Sequence, residues 1–577
     1  MSKCNVLFIV PPNLPLHNLL KHAVAHVHKG KKGENDDPGA NMGTTRSMPM
    51  GVLSIAGYVA KHTDVNFEVL DLNLEVVELL GSGGTLDWDK FLNYHLKERY
   101  NKNFDIVGIS AIFNSNVGYV LEFSKLAKKN WPNCFIVAGG GAPSNLSSYV
   151  FSKSKELDAI AVGEAEKPFL DLVKSKDRKT FVEKAKGWTT RKKMSKKIEV
   201  PMDLVDNLDD IPPLPYELID FNRYQVVNRF HGDTNTAVCA SIMISRGCPF
   251  KCNFCATHIV HGRTMRYNSA DRVISDVRRL KDNYGVNVLL IEDDLFFGHK
   301  VKAKIILQKL KYENLKIEFT NGISVQNMMH EETIDALKEA GANMAQLAVE
   351  SGSERVLTEI IHKPYQKLSR VRKAITLLRE RNFYIRGSFV LGFPGEKKEE
   401  ILESVNFMKE AGFNWVSVMI ATPIAGSPLY EYCKKHNLLV SDNPEDYHIG
   451  NANIKLDHST PEEIVEMRWM INLKVNFVEN YDLKNGHTDL ALISFKNVIT
   501  RSSEQAFAHY YSSVCYNKLG LFNEEKKSLD LYFEIIENSP KWYGYAKHFS
   551  LPYERTATRG NGNTKKSINN VPATDFL

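Results

Sequence analysis

Apolar residues in this chain gather into short continuous runs, separated by longer stretches where they recur every three or four positions. NVLFIV (Asn5 to Val10) is such a run, closed by Pro11 and Pro12. That is the pattern of a strand covered on both faces. PMGVLSIAGYVAKH follows, with apolar spacing from Val52 to Val59 that predicts a helix opened by Pro49. Further strands are predicted at FEVLDLN (Phe67 to Asn73), DIVGISAIF (Asp105 to Phe113), CFIVAGGGAPS (Cys134 to Ser144) and DAIAVGEAE (Asp158 to Glu166). Helical segments lie between them. The alternation predicts an α/β domain over residues 1–200 with a Rossmann-like, doubly wound parallel sheet.

The lysine- and arginine-rich stretch from Lys174 to Lys197, around Trp188, is expected to be an exposed linker hairpin. DNLDDIPPLPYELIDF (Asp206 to Phe221) has the prolines and acids of an interdomain joint. The alternation then resumes with a predicted helix from Ala270 to Tyr284 and strands at NVLLIEDDLF, KIEFTNGIS, AQLAVESGSE, YIRGSFVLGFPGE and WVSVMIATPIAGSPLY. Residues 201–445 are read as a second α/β domain. From Thr460 the pattern turns helical, and residues 446–558 are expected to form a small all-α region. PEEIVEMRWMINLKVNFVENY predicts one long helix capped near Ser459 or Thr460. FAHYYSSVCYNKLGLFNEEKKSLDLYFEIIENSP resembles a single tetratricopeptide-type hairpin, with a Leu519-Gly520 turn and a closing Pro540. A solenoid needs about three repeats to bury its core, so a helical cap that docks on the second domain or recognises a partner is expected instead. The polar end, 559–577, is expected to be disordered.

A length of 577 residues calls for two to four domains. A hydrophobic share of 43% and a charged share of 25% are those of a soluble globular protein. A net charge of +6 gives little support to a dedicated nucleic-acid binder. No stretch reaches membrane-spanning length and no signal-peptide pattern is present, so a cytoplasmic enzyme is expected. Of the eight cysteines, Cys4, Cys134, Cys239, Cys433 and Cys515 are scattered, which argues for a reducing compartment.

The other three, Cys248, Cys252 and Cys255, crowd the loop RGCPFKCNFC with spacing C-x3-C-x2-C. Their thiolates can converge on one inorganic centre. Zinc would want a fourth ligand, for which His258 and His261 are near enough. Three thiolates and no fourth better suit a [4Fe–4S] cluster with one open iron. In the first domain the predicted strands end in Pro12-Asn13, Ser110-Ala111-Ile112, Gly139-Gly140-Gly141 and Gly163-Glu164. Ligands bind beyond such carboxyl ends, and glycine lets backbone approach them closely. In the second domain Glu292, Asp293 and Asp294 stand at a strand end, where three carboxylates require solvent or a cationic partner.

The cysteine loop, with Phe254 before its third cysteine, resembles that of the radical S-adenosylmethionine (SAM) enzymes. The resemblance runs from about Met243 to Tyr430 and implies an incomplete (β/α)6 barrel. It further implies that SAM chelates the open iron and is cleaved to a 5′-deoxyadenosyl radical. By the same resemblance Asp293 and Asp294 meet the SAM ammonium, Glu350 and Ser351 the ribose, and Gly392, with Gly387 and Gly395, the adenine-side strand. The domain before the barrel is similar to the cobalamin-binding domain of the B12-dependent class. Ser110, Gly139, Gly140 and Gly163 are its candidate cofactor contacts. The Asp-x-His-x-x-Gly pattern of that domain is missing, because the chain reads NLPLHNLLKH and His17 falls outside it. The long Leu19–Ser47 segment is read as a lid.

A cobalamin-dependent methyltransferase acting on a small molecule is therefore expected, with flavodoxin or ferredoxin as electron donor. Ring closure, rearrangement, or modification of RNA or protein without methyl transfer are the alternatives. No residue pattern names the substrate.

Overall fold

The computed structural model describes residues 3–15, 19, 47–82, 84–100, 102–225, 237–447 and 450–555. His17, most of the predicted lid and the 559–577 tail lie outside these residues. Strands β1 (Cys4–Val10), β2 (Val65–Asp71), β3 (Ile106–Ser110), β4 (Phe135–Gly139) and β5 (Ala159–Ala161) run parallel, and β6 (Trp188–Thr189) pairs antiparallel at the edge. Their order is β2-β1-β3-β4-β5-β6. Along β1, Leu7 and Ile9 enter one apolar cluster, while Val6 and Phe8 enter another on the opposite face. Both faces are covered, so the sheet is doubly wound as expected, with its topological switch between β1 and β3.

Two local readings of this domain are corrected. The second strand stops at Asp71 instead of Asn73, because the Asp71 carboxylate accepts the Leu74 N–H and starts the helix Leu72–Gly81. The 174–197 stretch is no exposed hairpin. Helices Arg178–Lys184 and Arg191–Ser195 flank β6, and Trp188 is fully buried with its Nε1–H donated to the Pro168 carbonyl. The apolar face of one indole, about 150–250 Å², decides the placement of this otherwise charged segment.

In the second domain, β7 (Cys239–Ile242) and the short strands β8 (Ser245–Arg246) and β9 (Arg266–Tyr267) precede β10 (Val288–Ile291) and β11 (Lys316–Phe319). β12 (Met344–Glu350), β13 (Tyr384–Leu391) and β14 (Trp415–Ile420) follow. Parallel pairing gives two triplets, β11-β10-β7 and β12-β13-β14, joined by single parallel bridges at Ile317–Ala342 and Ile323–Leu347. The result is an open six-stranded barrel wrapped by helices that share one core, including Val277, Leu307, Leu337, Ile375 and Ile401. The helix Ala270–Tyr284 has the predicted bounds, set by the Ser269 cap on the Arg272 N–H and by left-handed Gly285. β8 and β9 pair as a small antiparallel hairpin bracketing the cysteine loop.

The helical region begins at Pro461 rather than 446, behind a Thr460–Glu463 capping box. Ile454 is instead bridged to Leu439. Helices Ala506–Lys518 and Phe522–Asn538 form the predicted hairpin about Gly520, whose φ is +73°. Pro540 does not close it but opens a further helix, Pro540–His548, at the position where a missing N–H costs nothing. With Thr488–Arg501, these helices bury Phe477, Phe495, Phe507 and Trp542 in a core of their own. The region docks on the barrel where Asn414 donates to Asp482 and where Asn476 both accepts from and donates to the Val416 backbone.

Candidate active site

A cavity of about 830 Å³ lies between the carboxyl ends of the first sheet and those of the barrel. It brings together Ser110, Gly139, Gly140 and Gly163 from one side with Cys255 and Asp294 from the other. Gly140 has φ +97°, and a Cβ there would sit 2.3 Å from the Ala111 carbonyl oxygen, so no other residue fits. Ile112 lies on the same wall and is 65% exposed, an apolar side chain presented to the cavity instead of a core. Low, side-chain-poor backbone beside apolar groups fits a broad, flat macrocycle such as a corrin. Among the described residues His261 is the one histidine lining the cavity, and its Nδ1 lies 2.8 Å from Glu164.

The cysteine loop is pinned by backbone bonds. Cys248 N–H donates to Gly262 (3.2 Å), Asn253 N–H to Ile361 (3.1 Å), and Leu429 N–H to the Asn253 carbonyl (2.8 Å). Phe250 stacks on Tyr365, and the Arg263 guanidinium donates to the Phe250 carbonyl. Burial pushes the Cys248 thiol up to about 11, with the neighbouring thiols adding to it, and raises Cys252 as well. Half-buried thiols raised in this way ionise more readily with a cationic centre among them. Among the described residues Cys239, Cys433 and Cys515 are buried elsewhere and His261 is committed to Glu164, while His258 lies on the helix that leaves the loop after Cys255. Three thiols on one loop fit an iron–sulfur cluster with an open iron.

The acids after β10 divide between two tasks. Asp294 lines the cavity and takes a hydrogen bond from the Thr257 hydroxyl, while its Oδ2 has no protein partner. Asp293 turns away. Its carboxylate accepts from the Ile244 N–H (2.7 Å) and the Ser245 hydroxyl (2.5 Å), fixing the entry to the cysteine loop. Burial pushes its carboxyl up to about 7 despite those bonds. Glu292 also lines the cavity, holding the hydroxyls of Ser241 and Thr320.

Glu350, Ser351 and Gly392 stand beyond the residues that line this cavity. Glu350 sits at a shift in the β12–β13 register, with φ +72°, an unusual backbone for glutamate. Its carboxylate meets buried Lys363 at 2.6 Å. Burial alone would lower the Lys363 pKa, but the charge of Glu350 and the nearby Cys252 raises it. Ser351 also turns away, its hydroxyl engaged with Ser404 and with the Ser353 N–H. Gly392, at φ +86°, donates its N–H to Glu396, whose buried carboxyl is pushed up to about 7 by burial. Sequence reasoning missed Lys363, Glu396 and the role of Glu164. Lys363 carried no signal, since its partner is 13 residues away across an irregular strand exit.

A three-thiol loop on a partial barrel, facing the strand ends of a doubly wound sheet across one cavity, defines an enzyme with two cofactor sites. The chain matches the radical SAM superfamily over residues 242–408 and the B12 binding domain over residues 44–173. It is 31% identical over 366 residues to an uncharacterized methyltransferase of Pyrococcus horikoshii, covering 63% of this chain and 76% of that one. It is 29% identical over 419 residues to cytidylyl-2-hydroxyethylphosphonate methyltransferase of Streptomyces wedmorensis, covering 67% and 77%. The radical SAM methyltransferase TsrM of Kitasatospora setae, solved with cobalamin and a [4Fe–4S] cluster, shares the fold. Its TM-score is 0.53 at 13% identity, over 93% of this chain and 99% of that one. The chain belongs to the radical SAM superfamily, among the members that carry a B12-binding domain. Its cofactors are accordingly a [4Fe–4S] cluster, SAM and cobalamin. Among the described residues no helix is long and apolar enough to cross a membrane.

Proposed function

We propose that the chain is a cobalamin-dependent methyltransferase that places a methyl group on an unactivated carbon of a small molecule. The observation that carries this is the single cavity bounded by both cofactor-type walls. When bound, cluster and SAM supply a 5′-deoxyadenosyl radical for hydrogen abstraction, and cobalamin supplies the methyl group. Cys248, Cys252 and Cys255 hold the cluster. Asp294, which lines the cavity, faces the SAM ammonium. Glu350, oriented by Lys363, accepts hydrogen bonds from ribose hydroxyls, and Gly392 stands on the adenine side. Asp293 and Ser351 support these residues from behind rather than touching SAM.

Ser110, Gly139, Gly140 and Gly163 form the floor for the corrin, with Ile112 turned toward it. Residues 1–200 serve as the cobalamin domain, 201–445 as the radical domain, and the helices from Pro461 as a cap on it. A small electron donor such as flavodoxin or ferredoxin and a cytoplasmic setting complete the proposal.

The test uses anaerobically reconstituted protein, a low-potential reductant and SAM. S-adenosylhomocysteine is expected only when cobalamin is present, and 5′-deoxyadenosine only when the cluster is present. Formation of 5′-deoxyadenosine with no cobalamin-dependent S-adenosylhomocysteine would favour ring closure or rearrangement instead.

A further inference from the structure

One buried carboxylate of the first domain gathers nearly every side chain that brackets the cysteine loop. Glu164 stands just past β5, beside Gly163 on the cavity wall, with its side chain 3% exposed. It accepts from Arg266 through both terminal nitrogens, at 3.0 and 2.6 Å, and Arg246 Nη1 lies 3.2 Å away. His261 Nδ1 lies 2.8 Å away. Arg246 is two residues before Cys248 on β8, and Arg266 pairs with it from β9. His261 ends the helix Thr257–His261 that leaves the loop after Cys255. Glu166, two residues on, accepts from Arg246 (2.8 Å) and from the Ser54 hydroxyl (2.6 Å). Arg266 also donates to the Val205 and His261 carbonyls.

We propose that Glu164 is a positioning residue that sets the distance and orientation between the cobalamin and iron–sulfur sites. This rests on the two-cofactor proposal above. A carboxylate held in the fork of one guanidinium, with a second cation beside it, fixes angles as well as distance, and an amide or lysine in its place would not. Radical transfer across a shared cavity depends on such geometry, where small misplacements cost orders of magnitude in rate. The Glu164 carboxylate stays ionised throughout the neutral range, since its partners pull it down to about 2 against the opposing effect of burial. The clamp is therefore fixed, not pH-gated.

The experiment is electron paramagnetic resonance on holoenzyme with the cluster reduced and the cobalamin held as Co(II). Each centre then carries an unpaired electron, and their dipolar coupling reports separation. In E164Q both cofactors should be retained at wild-type stoichiometry, while the coupling weakens and broadens. E164D, which keeps the charge on a shorter arm, should give a narrow but displaced coupling. A coupling in folded E164Q that superimposes on the wild type would overturn the inference and leave Glu164 a purely stabilising residue. Should E164Q fail to fold, E164D carries the same two outcomes. Failure of wild-type protein to retain cobalamin would defeat the two-cofactor proposal instead.

Discussion

Three thiols share one short loop, and burial raises those of Cys248 and Cys252, so a cationic centre between them would favour their ionised form. Replacing any one of Cys248, Cys252 or Cys255 by alanine should abolish 5′-deoxyadenosine formation, and replacing all three should remove bound iron and sulfide. The same change at Cys4, Cys134, Cys239, Cys433 or Cys515 should leave the cluster spectrum intact. Asp294→Asn should weaken SAM binding by about 1.5–3 kcal/mol, the range for a hydrogen bond to a charged group, measured by equilibrium titration. The Glu350–Lys363 pair behaves differently. Lys363→Met alone strands a buried carboxylate and should destabilise the protein by about 3–5 kcal/mol. The double change with Glu350→Gln should cost much less, and urea unfolding of the three variants checks this. A pH effect belongs to Asp293. Its carboxyl is about 7 in the folded chain and 3.8 unfolded, so the folded state holds this proton more tightly. Stability from this group is then greatest at low pH and falls as pH rises from about 4 to about 7. Asp293→Asn keeps the Ile244 N–H bond and can donate to the Ser245 hydroxyl without the charge, so its urea midpoint should fall less over that window than the wild type's.

Among the elements, the glycine turn after β4 carries the sharpest constraint. Gly140→Ala combines a positive φ with a Cβ at 2.3 Å from backbone oxygen. It should cost at least the roughly 1–3 kcal/mol of a strained backbone and also lose cobalamin, read by retention after desalting. Gly395→Ala is the control. Its φ is +80°, but nothing lies within 4 Å of the new methyl, so it should cost stability without touching cobalamin. Legibility of elements followed where their signals are local. The helix Ala270–Tyr284 was legible to the residue because its serine cap and left-handed glycine adjoin it. The fate of Trp188 was not, because lysines on both sides dominate the local pattern while its partner carbonyl belongs to Pro168 in another helix. Asp293 and Asp294 looked equivalent as neighbours, yet successive residues at a strand exit face opposite ways, and only one could reach the cavity.

At the scale of the molecule, the order of a doubly wound sheet, a partial barrel and a helical cap was legible because periodicity reports it. What joins the domains was not. Glu164 reads as one more acid after a glycine, and its partners Arg246 and Arg266 lie more than 80 positions away in sequence. The autonomous core of the helical cap was likewise hidden, since Phe477, Phe495 and Trp542 each belong to a different helix. The central claim is that one cavity serves both cofactors. Purified protein is reconstituted anaerobically with iron and sulfide, mixed with hydroxocobalamin and desalted, and its iron and cobalt are measured. The account predicts one cluster and one cobalamin retained per chain. Loss of cobalamin on desalting would contradict it.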